Sequence, residues 1–171
     1  MTDGIRRGRP SMRGSSRLHE RPADVAAAPV SQPTVRSSGK IRVLFVCIGN
    51  SCRSQMAEGF ARKYGQGLID IFSAGLMPAP IVQEDTHRTM AERGITLEGH
   101  QPKGIELMVR EPFDVVINMS GSALPAMNAR QIIDWSVRDP IGQSAGVYRS
   151  VAGQIEQLVM RLVSDLRSSR P

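Results

Sequence analysis

The sequence predicts an α/β fold, a parallel β-sheet covered on both faces, and three observations carry that prediction. Ile41-Arg42-Val43-Leu44-Phe45-Val46 is β-branched and nearly all apolar, the pattern of a strand buried on both sides. Directly after it the spacing turns helical, with Met56, Phe60 and Ala61 on one face and Tyr64 beyond. Further strand-like runs then recur along the chain, alternating with helical segments. In sheets of this kind a ligand sits beyond the carboxyl ends of the strands, so the residues after Val46 are where chemistry is expected.

Residues 1–39 are rich in Arg, Ser, Pro and Gly and have no sustained periodicity, which predicts a disordered basic arm ahead of a folded domain over 40–171. From Arg53 the first helix runs to Gly65. A second strand over Leu68–Phe72 ends at Ser73-Ala74-Gly75. After a Pro-rich connection, a helix is expected from about Val82 to Arg93, closed by Gly94. Asp114–Met119 is expected as a third buried strand and Gln131–Trp135 as a fourth. Val151, Ile155, Val159 and Leu162 then mark a core-packing helix from about Arg149 to Leu166.

Composition narrows the function. The net charge of +6 is unevenly spread: residues 1–40 hold eight Lys/Arg against three Asp/Glu, and the rest are near neutral. The basicity therefore belongs to the arm, and no nucleic-acid partner is expected for the domain. The arm's expected state is a solvated tail. Two cysteines, Cys47 and Cys52, are too few and too close for a disulfide-stapled secreted domain. No apolar run approaches a membrane span. A cytoplasmic chain with reduced thiols is expected.

Cys47-Ile48-Gly49-Asn50-Ser51-Cys52-Arg53-Ser54 carries the chemistry. A short Gly-containing loop that opens a helix lets several backbone N–H groups converge on one point, which the helix dipole makes an anion site. Arg53 adds a planar guanidinium able to hold two oxyanion oxygens at once. Gly49 and Asn50 tolerate the positive φ that a curled loop demands. The same positive field favours the thiolate of Cys47, set to attack a bound tetrahedral oxyanion, with Ser54 able to donate to the sulfur. The loop supplies its own positive charge, so no metal or organic cofactor is implied.

VLFVCIGNSCRSQMAEGFAR (Val43 to Arg62) closely resembles the low-molecular-weight protein tyrosine phosphatases and the thioredoxin-type arsenate reductases, which share one fold. The resemblance continues through Ser73-Ala74-Gly75, Gly94-Ile95, Asp114–Met119 and Asp139-Pro140, covering about residues 40–168. It implies a flavodoxin-like three-layer fold with a four-stranded parallel sheet. By resemblance Cys47 is the nucleophile, Arg53 and the loop N–H groups bind the oxyanion, and Asn50 with Ser54 holds the loop. Asp139 matches the general acid, needed because an alkoxide leaves poorly without a proton. Ser73 and His100 match residues that support the loop. Cys52 matches a second loop cysteine that can trap Cys47 as a reversible disulfide.

Two activities follow from that resemblance. The thioredoxin-coupled reductases carry two more cysteines after the third strand. Here that segment is Met119-Ser120-Gly121-Ser122-Ala123-Leu124-Pro125, whose wording resembles the phosphatases. On this ground the expected activity is hydrolysis of a phosphorylated protein or small phosphate ester through a cysteinyl-phosphate. The alternative is an arsenate reductase that borrows an external thiol, mycothiol or glutaredoxin with glutathione. A non-catalytic oxyanion-binding relative comes third. Ser51-Cys52-Arg53-Ser54-Gln55-Met56-Ala57-Glu58-Gly59-Phe60 and Trp135, ahead of the Asp-Pro, are worded more like the reductases. Ile141-Gly142, Leu76 and Met77 offer no aromatic ring on which a phosphotyrosine could stack.

Overall fold

The computed structural model describes residues 39–169. The arm expected over 1–39 therefore lies, up to residue 38, outside the described residues. Four strands, β1 (Ile41–Cys47), β2 (Ile69–Gly75), β3 (Phe113–Asn118) and β4 (Ala129–Asp134), form one parallel sheet in the order β2-β1-β3-β4. Three helices accompany them: α1 (Arg53–Tyr64), α2 (Glu84–Ala91) and α3 (Ala145–Ser168). β1 is central, with Val46 opposite Ala74 on one side and Asn118 on the other. Its carboxyl end, and with it Cys47, is thus enclosed by two neighbouring strand ends.

Alternation along the strands divides the core into two layers. Val43, Phe45, Val115 and Ile117 face α1 and α3, where they meet Met56, Phe60, Val151, Ile155 and Val159. Each such fully buried side chain contributes about 1.5–3 kcal/mol. Leu44, Val46, Ala74 and Val116 face the other way, and Phe113, at the start of β3, packs among them. That face is covered by a single 3-10 turn, Ile105–Leu107, together with Met108, Leu124 and Met127. Both faces are covered, but one by long helices and the other by short irregular chain.

Three element boundaries differ from the expectation. Gln131–Trp135 was expected as a buried strand; β4 is instead a sheet edge with Ile132 48% exposed. β4 pairs only with β3, so an apolar run there is not enclosed. α2 is shorter than expected at both ends: Gln83 is extended (φ −64°, ψ 141°), with its N–H on the Ser51 carbonyl at 3.0 Å, and past Ala91 the chain tightens through Arg93 N–H to Met90 O and Gly94 N–H to Ala91 O. α3 begins before Arg149 and buries Tyr148 in its first turn. No helix among the described residues is long and apolar enough to cross a membrane.

Candidate active site

The loop between β1 and α1 is shaped by where its carbonyls go. Those of Cys47, Ile48 and Gly49 accept N–H groups of Leu76, Met77 and Ala79 at 2.9–3.1 Å. Asn50 O accepts Gln55 Nε2 at 3.0 Å, and Ser51 O accepts Gln83 N–H and the Thr86 hydroxyl. Cys52 O accepts Met56 N–H in the first turn of α1. Six successive carbonyls are thus tied to surrounding chain, while the N–H groups of residues 48 to 52 meet no protein acceptor among the described residues. Donors with no protein partner, gathered at a helix N-terminus, form an anion cradle. The connection after β2 that donates these bonds can lie so close because of Gly75. A Cβ there would stand 2.7 Å from both Asn50 N and Ile48 O.

Asn50 is the keystone of the loop. It is fully buried and adopts φ 47°, the one non-glycine residue at positive φ among those described. Its Nδ2 donates to Ser54 Oγ at 2.8 Å and Ser73 Oγ at 2.9 Å, while its Oδ1 accepts Lys103 N–H at 2.7 Å and Gln55 Nε2 at 3.1 Å. Ser54 Oγ lies 3.0 Å from Cys47 Sγ. Ser73 in turn donates to the buried carboxylate of Glu58, which also holds Arg62. An acceptor-only carboxylate forces the Ser73 hydroxyl to donate, and the amide hydrogens of Asn50 occupy the acceptor positions of both serines. The Ser54 hydroxyl is then free to donate to Cys47.

Burial works against the charge on Glu58. The hydrogen bonds from Ser73 and Arg62 and the nearby Lys103 outweigh it, so Glu58 sits below its ordinary value. His100 stands one residue removed from the loop: its Nδ1 is 2.7 Å from Gln55 Oε1, and Gln55 reaches Asn50. Burial lowers His100 from its ordinary value, against an opposing pull from Glu58.

Arg53 enters from the first turn of α1 with only 5% of its surface exposed. Nη1 donates to the carbonyls of Met119 at 2.7 Å and Val137 at 3.2 Å, and Nη2 meets Asp139 Oδ2 at 2.6 Å. Asp139 Oδ1 takes the Ile141 N–H at 3.2 Å in the turn after Pro140. The structure thus brings Cys47, Arg53, Asp139, Asn50, Ser54 and Ser73 into one cluster, with His100 at its margin. Cys52 is 1% exposed, and desolvation pushes its thiol up to about 12. The Ser51 hydroxyl is buried without a partner among the described residues.

Gln55, Glu58, Lys103 and the carbonyls of Met119 and Val137 escaped the sequence reading. Glu58 and Gln55 did leave a trace, since both interrupt a helix whose residues 53–61 are all buried. The backbone carbonyls leave none.

The sequence profile of the low molecular weight phosphotyrosine protein phosphatases matches residues 42–171. The chain belongs to this family. Among its relatives, a glutaredoxin arsenate reductase of Synechocystis sp. is 40% identical over 129 residues, spanning 73% of this chain and 98% of its own. A solved arsenate reductase in the phosphate-binding state is 38% identical with a TM-score of 0.69, covering 74% of this chain and 98% of that one. A solved arginine phosphatase, YwlE, superposes comparably (TM-score 0.66, 76% and 98% covered) at 25% identity.

These relatives correct the expectation of a phosphate monoester hydrolase acting through a cysteinyl-phosphate. Identity rises on the reductase side while the fold match stays level, and the expectation had rested on the missing cysteines after β3. That absence separates reductases by where the second thiol comes from. It does not separate reductase from hydrolase, because a second thiol can arrive from solution.

Proposed function

We propose that the chain is an arsenate reductase of the external-thiol type, drawing electrons from a small thiol such as glutathione with glutaredoxin. The observation that supports it most is the 40% identity to a glutaredoxin arsenate reductase across 98% of that protein's length. Arsenate has the size and charge of phosphate, so the cradle that suits one oxyanion suits the other.

The roles follow the cluster. The loop N–H groups and Arg53 hold the arsenate oxygens, and Ser54, polarised through Asn50, Ser73 and Glu58, steadies the Cys47 thiolate. Cys47 forms an S–As bond, and a hydroxyl leaves arsenic as water with a proton from Asp139. An external thiolate then attacks Cys47 Sγ, forming an S–S bond. The S–As electron pair stays on arsenic, which departs as arsenite, As(III). A second thiol resolves the mixed disulfide and returns Cys47 to the thiol.

The test is arsenite production from arsenate with glutathione and glutaredoxin. Turnover that Cys47→Ser abolishes is the expected result. Absence of arsenite with any thiol, beside brisk hydrolysis of an aryl phosphate, would sink the proposal.

A further inference from the structure

A cavity of about 510 Å³ opens between the chain that follows β3 and the end of β4. Asn118, Ser122, Leu124, Asp134, Trp135 and Ser136 line it. Its volume falls within the roughly 300–1,000 Å³ usual for small-molecule sites, and its lining mixes an aromatic ring with several polar groups.

Two features aim the cavity at the reacting sulfur. Asn118 lies opposite Val46 in the sheet, and the Met119 N–H donates to the Val46 carbonyl at 2.7 Å. Paired strands stand about 4.8 Å apart, so the cavity wall begins one strand spacing from the residue preceding Cys47. The two segments that bound the cavity also clamp Arg53, one through the carbonyl of Met119 and the other through that of Val137. A ligand seated here abuts the cradle on the Arg53 side.

The lining is also organised. Asn118 Nδ2 donates to Asp134 Oδ1 at 2.7 Å and to the Ser122 carbonyl at 2.9 Å, which joins the two walls and steadies the carboxylate. Trp135 packs against Phe45 with ring centroids 6.0 Å apart, so its indole is held in place while contributing to the cavity. Cys52 cannot readily supply the second thiol, being buried in the loop with its proton tightly held.

We propose that this cavity seats the external reductant, a γ-glutamyl peptide thiol of the glutathione class. The inference rests on the reductase reading above. The α-ammonium of the γ-glutamyl group pairs with Asp134, the peptide amides reach the hydroxyls of Ser122 and Ser136, and the thiolate is delivered along Met119 to Cys47. It is this bound thiolate whose sulfur bonds to Cys47 Sγ as the S–As bond breaks and arsenic takes the electron pair.

Trp135 is the chain's single tryptophan, which makes the cavity directly observable. S-methylglutathione, which cannot react, is titrated into the full chain while tryptophan fluorescence is read. A saturable change is expected, weakened at least tenfold by Asp134→Asn and by Ser122→Tyr. Asn at 134 retains an acceptor for Asn118, and Ser122 bonds Asn118 through its backbone, so both variants keep the walls joined. In turnover the same variants should raise the glutathione KM about tenfold and leave the arsenate KM unchanged. A silent Trp135, or equal affinity in wild type and both variants, would overturn the proposal. Dithiothreitol separates the two readings. Arsenite formed with dithiothreitol beside a silent Trp135 removes the cavity and keeps the reductase, whereas no arsenite with either thiol removes the reductase itself.

Discussion

The two walls of the cradle are built differently. On the α1–β2 side, Asn50, Ser54, Gln55, Glu58 and Ser73 are all buried, and their side chains are joined by hydrogen bonds into one network ending on Cys47. On the β3–β4 side, Arg53 is gripped by two carbonyls and one carboxylate, while β4 lies at the sheet edge and a cavity opens beside it. A buried, fully paired network resists rearrangement, because every displaced partner would be left without a hydrogen bond. An edge strand with exposed side chains can change at little cost. The nucleophile is thus set by the rigid wall, and the proposed thiol reaches it across the permissive one.

The sharpest way to break the contrast is Asn50→Ala. It leaves the partners of one side chain unsatisfied in a buried site and removes a residue suited to φ 47°. We expect about 4 kcal/mol of lost stability by urea denaturation, as several buried polar groups lose partners at once. Activity should fall at least a hundredfold, as the route by which Ser54 is polarised is cut.

Gly75→Ala is next, with an expected loss of about 2 kcal/mol. The new methyl would strike the backbone of the loop itself, at Asn50 N and Ile48 O, which cannot swing aside as a flexible side chain could. A stability close to wild type would show that the loop yields, contrary to the rigid-wall view.

Acid should attack the same wall. Glu58 is held below its ordinary value of 4.5, so its stabilisation is fully present above that pH and is lost as pH falls through the folded value. His100 is also lowered, from 6.5, mainly by burial. Its neutral form is the one the fold prefers, so its share is present above 6.5 and shrinks as pH falls through its lower folded value. Urea midpoints measured against pH should therefore decline toward acid in the wild type. The decline near the carboxylate range should flatten in Glu58→Gln, whose midpoint at neutral pH should be lower. A parallel pH profile in that variant would refute the assignment.

Chemical labelling sharpens the contrast within the loop. With its thiol pushed up to about 12 by desolvation, Cys52 should escape iodoacetamide at about pH 8. Mass spectrometry should find one modified cysteine per chain, on Cys47. Cys52→Ala should retain most of the activity. The smallest effect belongs to the permissive wall. Gln131→Lys on exposed β4 should change stability by no more than about 0.5 kcal/mol.

Much of the architecture was legible from local pattern. A continuous apolar run before a loop that opens a helix locates β1, Cys47 and α1 without reference to anything distant, because strand burial and helical spacing are short-range signals. Less legible were features that depend on position within the sheet. Ile132 and Ile133 spell a buried strand in isolation, and only the strand order makes β4 an edge. Phosphatase and reductase could not be separated by the loop either, since both chemistries need the same nucleophile and the same anion cradle. What distinguishes them is a thiol able to resolve the Cys47 adduct, and the one other cysteine of the chain, Cys52, is buried within the loop itself.

By itself, then, the sequence determined the parallel α/β frame and the cluster of Cys47, Arg53 and Ser54, because those residues are neighbours along the chain and their geometry follows from one loop. Only the tertiary structure decided that Ser73 and Lys103 converge on Asn50, and that the carbonyls of Met119 and Val137 grip Arg53. These partners are separated by tens of residues. They meet because parallel pairing brings the carboxyl ends of β1, β2 and β3 to one edge of the sheet, and no local pattern of side chains records that convergence.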